Sequence, residues 1–99
     1  MMDERIYLND LYDLYGKLLN DIQRKYFEYY YFDNLSLGEI ADLLDVSRNA
    51  VHKNIKLVET KLNDYESKLE LYKKNIKLQK IIGKIEDKNL KKELDELSW

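Results

Sequence analysis

Apolar positions in this chain recur at steps of three and four, the period of a helix with one buried face. Between residues 5 and 19, Leu8, Leu11, Tyr12, Tyr15, Leu18 and Leu19 fall on one wide face. Gly16 marks the end of that helix or a weak point in it. A second helix is expected over 20–31, with Asn20 as N-cap and Asp21 at the positive end of the dipole. Its inner stripe reads Ile22, Tyr26, Tyr29 and Tyr30, and residues 32–35 (Phe-Asp-Asn-Leu) read as a turn.

The pattern then tightens. Ser36-Leu37-Gly38-Glu39 has the spacing of a capping box, and Ile40, Ala41, Leu43 and Leu44 supply a buried face behind it. Asp45 falls where a tight inter-helix turn needs a positive φ, which Asp tolerates better than most residues. Val46 is expected to plug the turn and Ser47 to cap a helix opening at Arg48. A short helix, a three-residue turn and a second helix, with the small Ala41 at the crossing, make a helix-turn-helix over 36–62.

After Arg48 no strong breaker occurs before Gly83. Val51, Ile55, Val58, Leu62, Tyr65, Leu69, Tyr72 and Ile76 alternate steps of four and three, the spacing of a heptad seam. One long helix from 48 to about 82 is expected, with a restart at the box-like Ser67-Lys68-Leu69-Glu70 as the alternative. Ile85, Leu90, Leu94 and Leu97 predict a short terminal helix past Gly83. The expected fold is all-α: a helix-turn-helix bundle over 1–66 and a long C-terminal helical extension over 67–99. The seam outruns the bundle. Tyr65, Leu69, Tyr72 and Ile76 are therefore expected to pair with a second copy as a homodimer, unless the tail folds back with Ile81, Ile82 and Ile85 as cover.

Charge sharpens this picture. The net charge of −2 hides an asymmetry: residues 1–46 carry 4 basic and 10 acidic side chains, residues 47–99 carry 13 and 9. The step coincides with the second helix of the motif. With no cysteine there is no disulfide framework and no thiolate metal site. No apolar run is long enough for a membrane span and no signal-peptide core opens the chain, so a cytoplasmic protein without membrane insertion is expected.

Read as a nucleic-acid binder, the segment after Ser47 enters a major groove with Arg48, Asn49, His52, Lys53 and Lys56 outward. Arginine pairs bidentately with guanine and asparagine with adenine, while Lys53 and Lys56 suit phosphates. Ser36 and Ser47 offer hydroxyls and helix N-terminal amides to phosphates, although capping alone also explains both. His52 has no second histidine or cysteine beside it, so neither a metal nor a cofactor is expected. Between residues 48 and 61, Arg48, Lys53, Lys56 and Lys61 stand against Glu59, a modest excess for a tight DNA reader. The balance favours weak nucleic-acid contact combined with protein contact.

Residues 18–62 resemble region 4 of bacterial sigma factors, with Asp45 standing where sigma-like turns commonly carry glycine. With the upstream LYDLYGKLL and the downstream YESKLELYKK, residues 5–75 more closely resemble the YlxM family of helix-turn-helix proteins. The specific part is YYFDNLSLGEIADLLDVSRNAVHKNIK. The resemblance implies an all-helical protein. It also implies a regulatory or accessory role in the signal recognition particle pathway, because genes of this family lie beside those of the particle protein or its receptor. The particle's RNA or its protein is then the implied partner. A DNA-binding transcriptional regulator using residues 47–56 is the alternative. An enzyme is not expected: the chain has no glycine-rich phosphate loop, no His/Cys cluster and no nucleophile with a base at motif spacing.

Overall fold

Local capping decides where the helices begin. A computed structural model describes residues 3–98. Asp3 caps α1 (Glu4–Tyr15) by accepting the Arg5 N–H at 2.8 Å. Asn20 and Gln23 close a reciprocal capping box at α2 (Asp21–Phe27), and Ser36 and Glu39 do the same at α3 (Leu37–Leu44). Ser47 accepts the Ala50 N–H at 3.1 Å to open α4 (Arg48–Leu69). Two more helices follow, α5 (Leu71–Ile82) and α6 (Lys88–Leu97), the last capped by Asp87. All the regular structure among the described residues is helical.

Helices α1 to α4 bury one core. Leu8, Leu11, Tyr15, Tyr26, Phe27, Tyr31, Ile40, Ala41, Val51, Ile55, Val58 and Leu62 form it, with α4 touching each of the other three. Aromatic rings carry the α1–α2 contact: Tyr12 lies flat on Phe27 at 4.3 Å, and Phe27 stacks on Tyr31 at 4.5 Å. The chain is drawn out to 54 × 28 × 25 Å. Its radius of gyration, 16.8 Å, exceeds the ~13 Å of a compact domain this size, because α5 and α6 extend beyond the bundle.

Several inward assignments need correction. A single 3₁₀ turn, Gly16–Leu18, follows α1; its tighter winding turns Leu18 to solvent and buries Leu19. In α2 the aromatic pair of the last turn takes the buried side, and Ile22 in the first turn is 46% exposed. At 100° per residue the narrow buried arc of α3 centres on Leu37, Ile40, Ala41 and Leu44, which leaves Leu43 on the flank and 60% exposed. Val46 does not plug the turn with its side chain; its N–H closes the turn by reaching the Ala41 carbonyl at 3.0 Å.

The end of α2 winds into a π-helical turn, Glu28–Phe32, before Asn34 reverses the chain at φ 54°. The carbonyls of Tyr30 and Tyr31 fall in the last turn, where the helix itself offers no partner. Arg5 Nη2 donates to both, at 3.0 and 3.3 Å, and to Asn34 Oδ1 at 3.0 Å, with its guanidinium 4.8 Å from the Tyr31 ring centre. Arg5 therefore acts as a C-cap supplied by another helix.

The single long helix is not formed. Glu70 adopts the left-handed conformation, φ 55° and ψ 30°, and separates α4 from α5. Nor does a helix restart at Ser67, whose hydroxyl donates to the Asp64 carbonyl inside α4. A non-glycine residue held there costs ~1–2 kcal/mol, and the surrounding bonds offset it. Tyr15, 1% exposed, donates its hydroxyl to Glu66 Oε1 at 2.6 Å and accepts the Leu71 N–H at 3.0 Å. The Glu66 carboxylate accepts the Tyr72 and Lys73 N–H groups at 3.0 and 3.2 Å. Burial and the Glu66 hydrogen bond push the Tyr15 phenol up to about 12. The first turn of α5 is thus capped by a carboxylate from α4 and a phenol from α1.

Beyond the break α5 packs on α1, with Tyr72 edge-on to Tyr7 at 5.0 Å. The four seam residues consequently part company. Tyr65 leans on Tyr15 at 5.9 Å and Tyr72 on Tyr7, both inside the chain, while Leu69 and Ile76 stay exposed at 44% and 37%.

Candidate nucleic-acid interface

The helix-turn-helix is held by short-range bonds and a small buried wedge. Asp45 takes φ 54°, as the turn requires, and the Ala41 carbonyl accepts from both the Asp45 and Val46 N–H groups. Ile40, Ala41, Val51 and Ile55 fill the space between α3 and α4, each under a tenth exposed. Ala41, buried at this crossing, presents only a methyl group, which lets the two helices approach closely.

That packing fixes the outward side of α4. Val51, Ile55, Val58 and Leu62 face the core, so Arg48, Asn49, His52, Lys53 and Lys56 are all exposed on the other side. The first turn carries no acidic residue to oppose an approaching phosphate. The Ser47 hydroxyl oxygen accepts the Ala50 N–H, which leaves one lone pair and the O–H donor uncommitted by that bond. Ser36 is occupied more fully. Its oxygen accepts the Glu39 N–H at 3.1 Å and its own N–H is taken by Glu39 Oε1 at 3.0 Å. The Ser36 backbone N–H and hydroxyl hold the Glu39 carboxyl below its usual range, so an anion stands at the start of α3. The two serine-capped termini are therefore unequal: that of α4 is open to an anion, and that of α3 is already closed by one.

The five outward residues also differ among themselves. Lys56 Nζ lies 3.4 Å from Glu59 Oε1, and Glu59 in turn accepts the Tyr31 hydroxyl. Burial and that bond to Glu59 push the Tyr31 phenol well above its ordinary value. Lys56 thus borders a cleft of about 300 Å³ that also holds Asp3, Glu4, Arg5 and Glu59, and part of its charge is spent there. Lys53 and His52 make no such contact among the described residues. Arg48 lies over α3: a methyl group at Gly38 would meet its Nη2 at 2.8 Å and its Nε at 3.0 Å. Glycine at 38 is what allows the guanidinium to lie across that turn.

Arg5 and Glu59 were not among the expected site residues, although both shape this surface. Glu59 has one local partner, Lys56 three positions before it, but the bonds that place Arg5 and Glu59 here come from far along the chain. Arg5 meets residues 25 to 29 positions away, and Glu59 is met by Tyr31 28 positions away.

Residues 2–98 match the sequence profile of the family described as "Putative helix-turn-helix protein, YlxM / p13 like". The chain belongs to this family. Three similar proteins bear the family name UPF0122. One from Shouchella clausii is 53% identical over 74 residues, covering 75% of this chain and 68% of that protein. One from Halalkalibacterium halodurans is 46% identical over 87 residues, 88% of this chain and 80% of its own. One from Caldanaerobacter subterraneus is also 46% identical over 87 residues, covering 74% of that protein. Membership of a helix-turn-helix family points to nucleic-acid binding. Among the described residues no helix is long and apolar enough to cross a membrane. None of their His, Cys, Asp and Glu side chains group in threes that could hold a metal ion.

Proposed function

We propose that this chain is a non-enzymatic cytoplasmic protein that binds nucleic acid through the first turns of α4. In this reading it serves as a regulatory or accessory component of the signal recognition particle pathway. The observation that carries the binding is the exposed, acid-free opening of α4, with Arg48, Asn49, His52 and Lys53 on its outward side and the Ser47-capped terminus beside them. Arg48 and Asn49 have the donors for base edges, and Lys53 and the helix terminus suit phosphates. Lys56 and Ser36 contribute less, since acidic groups already engage them. The resemblance to the YlxM family supplies the pathway, with the particle's RNA or protein as partner. The modest positive charge of this surface fits weak, strongly salt-dependent binding. One observation favours a second reading, a DNA-binding regulator: the Ala41 crossing presents α4 as helix-turn-helix proteins present a helix to a major groove.

The test compares fluorescent signal recognition particle RNA with duplex DNA of equal length, titrated with wild type and with Arg48→Ala/Lys53→Ala. The wild type is expected to bind the RNA at concentrations where it ignores the DNA. The double variant should bind roughly tenfold or more weakly, a bidentate base contact alone being worth ~1–3 kcal/mol. Equal binding by the double variant moves the site away from α4. Preference for DNA establishes the second reading. Failure of the wild type to bind either leaves a protein partner alone.

A further inference from the structure

Two stretches of this chain run longest without an acidic residue: 46–58, which opens α4, and 71–85, which contains all of α5. The first is the surface just described. The second carries Lys73, Lys74, Lys77, Lys80 and Lys84 and is the more basic of the two. Helix α5 has four lysines and no acidic side chain, whereas α4 sets five basic residues against three acidic ones and α6 is balanced at three against three. Surface helices rich in lysine ordinarily interleave glutamates three or four positions away. Here that interleaving is missing.

The lysines also occupy one side. Leu71, Asn75, Leu78 and Ile82 turn inward at steps of four, three and four. At 100° per residue, Lys73, Lys77 and Lys80 fall opposite that arc with Lys74 at its edge, and all four are exposed. None makes an ion pair among the described residues, whereas Lys56 and Lys68 of α4 both do. The face is held in place. The left-handed Glu70 turns α5 away from α4, the Tyr15–Glu66 cap fixes its first turn, and Tyr72 seats it on Tyr7.

We propose that this lysine face of α5 is a second contact surface for the phosphate backbone of a nucleic acid. It adds to the α4 surface and rests on the nucleic-acid reading of this protein. Three to four unpaired like charges on one rigid helix complement a polyanion and little else. Lysine, a compact point charge, suits phosphates without reading bases. The surface therefore contributes affinity and salt dependence but no sequence preference.

The test measures binding of duplex DNA and duplex RNA by fluorescence polarisation across a series of salt concentrations. Wild type is compared with Lys73→Gln/Lys77→Gln/Lys80→Gln, with the matching triple arginine variant, and with Arg48→Ala/Lys53→Ala. Each lost phosphate contact removes roughly 0.9 from the slope of log K against log salt on duplex DNA. The triple glutamine variant is thus expected to lower the slope by about two to three and to weaken binding alike for all sequences. The arginine variant should keep the wild-type slope. Glutamine is a good helix former, and circular dichroism checks that α5 remains folded. An unchanged slope in the glutamine triple, with α4 variants impaired, overturns this inference and spares the α4 reading. The opposite pattern supports the inference and overturns α4 as the main surface. Loss of binding to phosphatidylglycerol vesicles without loss of binding to nucleic acid assigns the face to a membrane and overturns the inference. A wild type that binds no nucleic acid overturns both readings.

Discussion

Replacing Tyr15 by phenylalanine removes one oxygen atom from the junction of α1, α4 and α5. That oxygen donates to Glu66 at 2.6 Å and accepts the Leu71 N–H at 3.0 Å. A bond to a charged acceptor contributes ~1.5–3 kcal/mol and a neutral one ~0.5–1.5. The ring keeps its place in the core, so packing is preserved, and Glu66 keeps its bonds to the Tyr72 and Lys73 N–H groups. The expected loss is about 2 kcal/mol, below the simple sum, because Glu66 remains partly satisfied. For a domain of this length that lowers the thermal midpoint by roughly 8–16 °C. Far-UV circular dichroism reads the melt, and amide hydrogen exchange at residues 71–73 reads the local effect. Tyr12→Phe is the control, since it loses a bond to Glu28 that is exposed to solvent. A Tyr15→Phe midpoint within ~2 °C of wild type, with unaltered exchange at 71–73, would refute the view that this hydroxyl holds the break; a real loss of ~1 kcal/mol would already exceed it.

Alkali should destabilise the fold. Tyr15 holds its proton to about 12 in the folded chain against 10.0 when unfolded, so its contribution is complete below pH 10 and is lost as pH rises toward 12. Tyr12 and Tyr31 shift the same way, and urea melts across that window should show stability falling most steeply above pH 10. Ala41→Leu overpacks the crossing of α3 and α4 and should cost ~1–3 kcal/mol; an unchanged midpoint would place the crossing elsewhere. Of the four seam residues only Leu69 and Ile76 remain exposed for self-association, because Tyr65 and Tyr72 pack on rings within the chain. If copies pair there, Leu69→Glu/Ile76→Glu should halve the mass seen by light scattering, and a wild-type monomer at tens of micromolar (an order of magnitude set by ordinary interface affinities) removes the homodimer.

What the sequence disclosed was what short range determines. Asn20, Ser36 and Ser47 act as caps, and Asp45 takes the left-handed conformation, because each depends on neighbours within three or four positions. The helix-turn-helix core followed from period and volume, with Ile40, Ala41, Val51 and Ile55 buried. Flank positions such as Ile22, Leu43 and Val46 were misplaced because an arc's width is set by what packs on it. The break at Glu70 lay out of reach for the same kind of reason. Glutamate is a good helix former and the heptad spacing continues through it, but the bonds that stabilise the turn include one from Tyr15, 51 positions before Glu66. Arg5 at the carbonyls of the π turn is likewise a partner that no local pattern names. In the candidate site, the outward set on α4 could be read from the periodicity. The engagement of Ser36 by Glu39 follows from the capping-box spacing and that of Lys56 by Glu59 from an i,i+3 pair, whereas the Tyr31 hydroxyl that fixes Glu59 arrives from 28 positions away.

The glycine beneath Arg48 bears on entropy. A free arginine side chain carries ~2 kcal/mol of rotamer freedom that a rigid contact must suppress. With its guanidinium resting over Gly38, Arg48 has a packing surface that favours this rotamer, so part of that cost falls on the free protein instead of on association. Association then loses less disorder at this residue than at Lys53, which has no such rest. Alanine at 38 would push the guanidinium off α3 without touching its charge. In the proposed reading, the neighbouring helix α3 thus bears on tightness at this surface through Gly38, a residue with no side chain of its own.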